Sequence, residues 1–214
     1  MSEFSTDLVS SCDWSIPPNQ SLFDEQSAFN LPSEVLEILA VANGFITKGR
    51  IFRFFSTVGD ERIPSISDWN KSEWKHAYGN FLNNVTFICE DIFGNQYGYF
   101  IEDGRAVFIS FHCEGGSMDV LPNGINEIRQ AIVAGIEAKL VDGMLVNEAF
   151  DHGMRPAHDE HLAFKLPLIS GGEYTIDNLA VESVALHLGV LSQLSAENLK
   201  HGDQSPITGF TSNG

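Results

Sequence analysis

The segment from residue 151 to residue 162, DHGMRPAHDEHL, concentrates side chains that could hold a metal ion. These are His152, His158 and His161, together with Asp151, Asp159 and Glu160. Imidazole and carboxylate groups are the usual ligands of zinc in proteins. The spacing is not H-E-x-x-H, and Gly153 and Pro156 predict a loop. We therefore expect histidines on the surface here and predict no metal-binding residue.

Cys89, His112 and Cys113 suggest a second possible chemistry, a thiol activated by an imidazole. Both cysteines adjoin apolar or aromatic residues, which predicts buried and unreactive thiols. With Cys12 they make three cysteines, none in a CxxC pair. This pattern favours a reducing compartment over a disulfide framework or a thiolate metal site.

Other catalytic and cofactor motifs are missing from the sequence. It contains neither G-x-x-x-x-G-K-[ST] nor G-x-G-x-x-G, so no phosphate-cradling loop and no cofactor are predicted. Gly115-Gly116-Ser117 is not the G-x-S-x-G elbow of a serine hydrolase. We predict that the protein is not an enzyme and has no catalytic residue.

Carboxylates occur in adjacent pairs at predicted turns. The pairs are Asp60-Glu61, Glu90-Asp91, Glu102-Asp103 and Asp159-Glu160. A glycosidase would need one such group in an apolar cleft, whereas residues at turns are ordinarily solvated. If the protein has a partner-binding face, we expect it at the strand ends, where turns bring acidic residues to one edge, with exposed aromatic anchors. Its predicted residues are Glu90, Asp91, Glu102 and Asp103, with Tyr97 and Trp69 as anchors.

The charge of the chain restricts its partners. There are 12 Lys+Arg against 29 Asp+Glu, a formal net charge of −17. Such a field repels phosphate backbones and anionic membranes, so we expect no nucleic-acid or membrane binding. It attracts a basic protein, although the simplest role of the acidity is to keep the chain soluble.

Hydrophobic patterning predicts an α+β fold with a mostly antiparallel sheet flanked by helices. We expect an extended lead-in over residues 1–30, a short helix from Leu31 to Gly44 and a strand at GRIFRFFS. Three strands follow, NVTFICEDIF, NQYGYFIED and RAVFISFHCE, separated by hairpin turns at Gly94-Asn95 and Asp103-Gly104.

Helices and a loop are predicted for the rest of the chain. INEIRQAIVAGIEAKL places isoleucines at helical spacing, and residues 141–165 predict a loop with one short helix. Val181, Val184, Leu188 and Leu191 indicate a long amphipathic helix starting near Asp177. The polar tail after residue 200 is expected to fray.

The order of these elements, with their local markers, resembles the SUKH superfamily, which includes cell-wall assembly regulators of the Smi/Knr type and many bacterial immunity proteins. The markers are Leu31-Pro32 before a helix that ends at Asn43-Gly44, and the block of strands and turns from Phe87 to Phe111. The resemblance covers about residues 31–140. Residues 141–214 are expected to form a C-terminal loop and long helix packed on the same domain.

The resemblance implies a non-catalytic protein that binds and neutralises a toxin. Many such toxins are nucleases with basic surfaces, which agrees with the charge of −17. The alternative is a regulatory scaffold of the Smi/Knr type that binds an endogenous partner. The start of the chain, MSEFSTDLVSSCDW, lacks the pattern of a secretory signal, and we expect a cytoplasmic protein, either a monomer or a homodimer.

Overall fold

The structure, a computed structural model, describes residues 3–18 and 31–200. Its main element is a seven-stranded sheet in which every neighbouring pair of strands is antiparallel. Helices pack around this sheet, and a two-stranded sheet lies in the C-terminal part. The predicted α+β class, with a mostly antiparallel sheet flanked by helices, is confirmed.

The strands of the main sheet follow one another in the order of the chain. They are β1 (Cys12–Ser15), β2 (Phe45–Thr47), β3 (Phe52–Phe54), β4 (Thr86–Asp91), β5 (Gln96–Glu102), β6 (Arg105–His112) and β7 (Ser117–Val120). The second sheet pairs β8 (Glu160–Phe164) with β9 (Leu179–Ser183).

The described residues include seven α-helices. They are α1 (Glu3–Ser11), α2 (Ser33–Leu39), α3 (Ile66–Asn70), α4 (Glu73–Ala77), α5 (Ile125–Ala134), α6 (Gly143–Asp151) and α7 (Val184–Lys200). Helix α6 is the short helix predicted after residue 141, and α3 and α4 occupy the segment between the predicted strands.

The residues of the tight turns determine how the central strands β4 to β6 pair. Between β5 and β6, Asp103 and Gly104 have positive φ angles of 48° and 76°. Two successive positive φ angles match the twist of a tight hairpin, which is why Asp-Gly is a strong hairpin signal. Glu102 pairs directly with Arg105 across this turn. Both predicted hairpin turns are confirmed, since β4 also pairs with β5 across Gly94-Asn95.

Aromatic side chains fill the core between the sheet and helices α3 and α4. The ring of Trp74 stacks on Phe87 at 5.8 Å between centroids, and Tyr78 meets Phe111 edge to face at 4.9 Å. The Tyr78 hydroxyl donates to the carbonyl of Cys113 at 2.8 Å, so this buried phenol is satisfied. The sheet and the helices therefore share one apolar core.

The extended lead-in predicted for residues 1–30 is wrong where the structure describes it. Residues 3–11 form α1, and β1 adds an edge strand to the sheet by pairing with β2. Leu8 is fully buried in the core, and this burial explains why the segment is ordered. Residues 19–30 lie outside the described part of the chain.

Two predictions for the C-terminal part need correction. Strand β8 lies within the segment 141–165 that was expected to be mainly loop, and β9 occupies the start of the helix predicted from Asp177. The long helix itself exists as α7 but begins at Val184 and packs against α4. The predicted fraying after residue 200 falls outside the described residues.

Residues 31–140 and 141–200 share one hydrophobic core. Leu162, Leu179 and Leu188 belong to the same cluster of buried side chains as the sheet residues. The amide of Leu162 donates to the carbonyl of Ile92, which joins β8 to the end of β4. Within the described residues, no helix is long and apolar enough to cross a membrane.

Candidate functional site

A buried cluster of charged side chains lies where β3, β4 and β8 meet. Its centre is Glu90, whose side chain is fully buried. The Glu90 Oε1 atom binds the guanidinium groups of Arg50 and Arg53, the latter at 2.8 Å. It also lies 3.2 Å from Nε2 of His161. One carboxylate thus links the short 3₁₀ turn Lys48–Arg50, strand β3 and the C-terminal hairpin.

The neighbouring Asp91 is buried in a different environment. Its Oδ1 accepts the backbone N–H groups of Phe93 and Asn95, at 2.9 and 3.0 Å. Its Oδ2 accepts from the Tyr97 hydroxyl at 2.9 Å and from the Asn95 amide at 3.0 Å. Asp91 therefore fixes the β4–β5 turn and the Tyr97 ring rather than facing solvent.

Trp69 also belongs to this interior network. Its indole N–H donates to Oε1 of Gln96 at 2.8 Å, and the Gln96 amide donates to Oε2 of Glu90 at 3.2 Å. The guanidinium of Arg53 lies 5.3 Å from the Trp69 ring centroid. Both oxygens of Glu90 are thus engaged within the core.

Four of the six residues predicted for a partner-binding face are buried in the structure, so that prediction is wrong for them. Glu90 and Asp91 are fully buried, Tyr97 is 1% exposed and Trp69 is 8% exposed. The reason is charge compensation: two buried arginines and several hydrogen bonds offset the cost of removing the carboxylates from water. Their expected exposure is wrong, and they act inside the fold.

Electrostatics follow from this burial. Burial alone would raise the pKa of Glu90, but Arg53, His161 and Arg50 outweigh it and hold that pKa well below its usual value. Burial lowers the pKa of Arg50 to about 10, so its guanidinium stays charged at neutral pH. Among the described residues no cationic side chain forms an ion pair with Asp91, and burial raises its pKa to about 6.

A pair of histidines extends the cluster. His161 is fully buried, and its Nδ1 lies 3.0 Å from Nδ1 of His187 on α7. Nε2 of His187 lies 3.4 Å from Oε1 of Glu114. Burial lowers the pKa of His161 to about 3, so the ring is neutral at physiological pH. A proton on its Nε2 faces Glu90 and leaves Nδ1 free to accept from His187.

The close approach of Gly94 explains how the histidine pair fits. Gly94 has a φ of 82°, and a β-carbon there would lie 2.7 Å from His161 Nδ1 and 3.3 Å from His187 Nδ1. No side chain fits at that distance without displacing the rings. The hairpin signal in the sequence therefore has a second role, which is to admit these rings against the turn.

The three histidines of segment 151–162 are not brought together. His152 is exposed and its Nδ1 lies 2.9 Å from the carbonyl of Glu148, whereas His161 is buried at Glu90. His158 contributes its carbonyl, which accepts from Arg53 at 2.6 Å. The described residues contain no group of three or more His, Cys, Asp or Glu side chains arranged to hold a metal ion. The expected surface position is wrong for His161.

Cys89 lies one strand away from the imidazole of His112 that was considered as its partner. Cys89 on β4 pairs with Tyr97, which pairs in turn with Ser110 on β6, so one strand separates Cys89 from β6. His112 lies 3.3 Å from Asp119. Burial raises the pKa of both Cys89 and Cys113 well above the usual value, which disfavours the nucleophilic thiolate.

Glu102 and Asp103 remain on the surface, at the tip of the β5–β6 hairpin. Both are exposed, and the adjacent Ile101 is 50% exposed. An open groove of about 640 Å³ runs beside them. Its lining residues are Pro32, Ser33, Glu34, Ile101, Gly104, Arg105 and Ala106. An apolar side chain with acidic neighbours is suited to contact a protein with an apolar pocket and a basic rim.

The fold has a counterpart among solved structures. The chain is similar to the crystal structure of Atu4351 from Agrobacterium tumefaciens, with a TM-score of 0.60 and 14% sequence identity. The alignment covers 90% of this chain and 89% of Atu4351. No family model and no curated protein matches the chain. At this identity the likeness establishes a shared fold over nearly the whole length.

Sequence reasoning missed the residues that complete the buried cluster. Arg50 and Arg53 come from one segment, and Glu114 and His187 come from two others far along the chain. One signal was available, since Arg50 and Arg53 stand in an apolar strand pattern where a cation requires a partner. That pattern indicates a buried ion pair but does not identify its carboxylate.

Proposed function

We propose that this chain is an immunity protein of the SUKH type, which binds a basic, nuclease-like bacterial toxin and neutralises it stoichiometrically. The observation that carries the proposal is the exposed hairpin tip formed by Ile101, Glu102 and Asp103 beside its groove. A binding surface of this kind combines an apolar anchor, which supplies affinity, with charges that steer the partner.

Net charge supports the same proposal. At −17 the chain attracts a positively charged domain over a distance of about 10 Å at ordinary ionic strength. A nuclease must hold a polyanion, so its active-site cleft is basic. An acidic inhibitor binds such a cleft through the same charges that hold the substrate.

The state of the cysteines supports a cytoplasmic site of action and a non-catalytic role. Cys12, Cys89 and Cys113 are free thiols, as expected in a reducing compartment. Burial and the nearby Asp13 raise the pKa of Cys12 to about 11, so all three thiols are protonated at neutral pH. Because protonated thiols are poor nucleophiles, we propose that the protein acts by covering a surface of the toxin and not by thiol chemistry.

The test uses purified C-terminal domains of the proteins that the adjacent genes encode. We expect tight 1:1 binding by titration calorimetry, weaker at high salt, together with protection of cells that express the toxin. Ile101→Ala and Glu102→Lys should each weaken binding by about tenfold or more, because they remove the apolar anchor or reverse a steering charge. Leu186→Ala and Glu173→Lys, at exposed positions elsewhere, should change it less than about twofold.

The outcomes test two claims separately: that the hairpin tip is the binding surface, and that the protein neutralises a toxin. Binding and protection that survive both hairpin variants would exclude the hairpin tip as the binding surface. Absence of binding, or binding without protection, would exclude the immunity function. Binding without protection would instead favour the regulatory scaffold of the Smi/Knr type.

A further inference from the structure

A second groove lies beside β1 and β2, at the edge of the sheet that β1 forms. Its volume is about 510 Å³, within the range of about 300–1,000 Å³ typical of small-molecule sites. Among its lining residues are Trp14, Arg50, Arg62, Arg155 and His158. This concentration of cationic side chains is unusual in a chain with only 12 Lys+Arg.

Both rims of the groove are fixed by one buried arginine. Nη1 of Arg53 donates to the carbonyl of His158 at 2.6 Å and to the carbonyl of Arg62 at 3.4 Å. Its Nη2 is held by Glu90 at 2.8 Å. The buried cluster therefore positions two loops that come from distant parts of the chain, and the groove between them is preformed.

Two guanidinium groups flank the groove, each stacked on an aromatic ring. The guanidinium of Arg62 lies 4.1 Å from the Trp14 ring centroid, and that of Arg155 lies 4.0 Å from the Phe150 ring centroid. Stacking fixes the plane of a guanidinium and leaves its N–H edge able to donate. Such edges bind the paired oxygens of phosphates and carboxylates.

A buried arginine in a strained backbone conformation lies beneath the groove. Arg50 is 4% exposed, and its Nε–H has no hydrogen-bond partner among the described residues. Its backbone adopts a φ of 59°, a strained conformation for a side chain of this size. Strain of this kind is retained where the surrounding structure fixes it, commonly at ligand sites.

The carboxylates of the groove are already engaged with protein groups. Asp13 accepts the amide of Gly49 at 3.1 Å, and Glu61 lies 3.8 Å from Nε of Arg62. Asp60 accepts the indole N–H of Trp14 at 3.3 Å. They moderate the positive field and set the orientation of the rims. Nη1 of Arg155 donates to the carbonyl of Met154 at 3.2 Å, so a ligand would bind the remaining N–H groups of Arg62 and Arg155.

We propose that this groove is a binding site for a small molecule bearing an oxyanion, held by the guanidinium groups of Arg62 and Arg155 above Arg50. The proposal is independent of the toxin-neutralising function, because this groove shares no lining residue with the groove at the β5–β6 hairpin and binds a different kind of ligand. Phosphate and carboxylate groups share the recognition chemistry, and direct titration separates them.

The experiment titrates the full chain with inorganic phosphate, pyrophosphate and citrate at constant ionic strength set by chloride. Trp14 is 39% exposed whereas Trp69 and Trp74 are buried, so ligand binding should change the fluorescence of Trp14. We expect saturable binding with a Kd of about 1 mM or tighter for at least one anion. Trp14→Phe should remove the fluorescence change but keep the calorimetric signal.

Matched variants determine whether the groove is responsible. Arg62→Gln and Arg155→Gln should each weaken binding by about tenfold, whereas Arg105→Gln, an exposed arginine of the β5–β6 hairpin, should change it less than about twofold. Binding of phosphate or pyrophosphate identifies a phosphate site, and binding of citrate alone identifies a carboxylate site. The proposal is overturned if no anion binds saturably, or if Arg105→Gln weakens binding as much as Arg155→Gln.

Discussion

Two acidic pairs in neighbouring strands have opposite fates. Glu90-Asp91 ends β4 and is fully buried, whereas Glu102 ends β5, Asp103 begins the turn after it, and both are exposed. Each pair stands at the end of a strand where a glycine-containing turn follows, at Gly94 or at Gly104, so their local sequences are alike. The difference comes from distant residues: Arg50, Arg53 and His161 converge on Glu90, and no such group reaches the hairpin tip among the described contacts. Burial of a charge is decided by its partners.

The largest expected effect separates the two glutamates. Glu90→Gln leaves two buried guanidinium groups without their carboxylate, and should lower the free energy of unfolding by about 3–5 kcal/mol. Glu102→Gln, at an exposed position, should change it by less than about 0.5 kcal/mol. Urea denaturation followed by far-UV circular dichroism measures both. Equal midpoints for the two variants would show that the buried cluster does not stabilise the fold.

A smaller effect concerns acid sensitivity. Because the pKa of His161 is lowered to about 3, the folded chain binds fewer protons here than the unfolded chain between that value and the ordinary 6.5. Stability from this group is therefore present at neutral pH and falls as pH falls, by about 2 kcal/mol between pH 7 and pH 5.

The pH dependence of stability that comes from Asp91 has the opposite sign and has to be separated from that of His161. Its pKa is raised to about 6, so its contribution to stability increases as pH falls through that value, by about 1 kcal/mol down to pH 5. Comparing wild type with His161→Gln at each pH cancels the Asp91 contribution. We expect the variant to lose less stability between pH 7 and pH 5, and parallel profiles would contradict the assignment of a neutral buried ring.

The smallest effect tests the backbone of the exposed pair. Asp103 has a φ of 48°, which an alanine adopts at a cost of about 1 kcal/mol. Asp103→Ala should therefore lower the free energy of unfolding by about that amount. Asp103→Asn removes the same charge but tolerates this conformation, so it should stay within about 0.5 kcal/mol of wild type. If both variants lose equal stability, the loss comes from the missing charge of Asp103 and not from its backbone conformation in the turn.

The parts of the fold that sequence predicted are those with local causes. The hairpin turn at Asp103-Gly104 and the helix after Gly124 depend on residues within a few positions of one another. Strand β9 was mistaken for helix because Val181, Val184 and Leu188 keep a spacing of three and four across the junction where strand becomes helix. Pairing with β8 overrides that periodicity.

The candidate sites were less predictable for the same reason. Glu102 and Asp103 were placed correctly on the surface, since a tight turn exposes its own residues. The positions of Glu90, Tyr97 and Trp69 depended on contacts with residues far along the chain, which a pattern of neighbours does not contain. The groove of Trp14, Arg62 and Arg155 joins three segments and has no local motif.

The strand order also affects the entropy of forming each part. Strands β4 to β7 are joined by connections of a few residues, so each new pairing closes a short loop. The junction of His161 with Glu90 closes a loop of about 70 residues, which costs about 2–3 kcal/mol more in chain entropy. The meander can therefore assemble by local steps, whereas the contact between His161 and Glu90 depends on long-range closure of the chain.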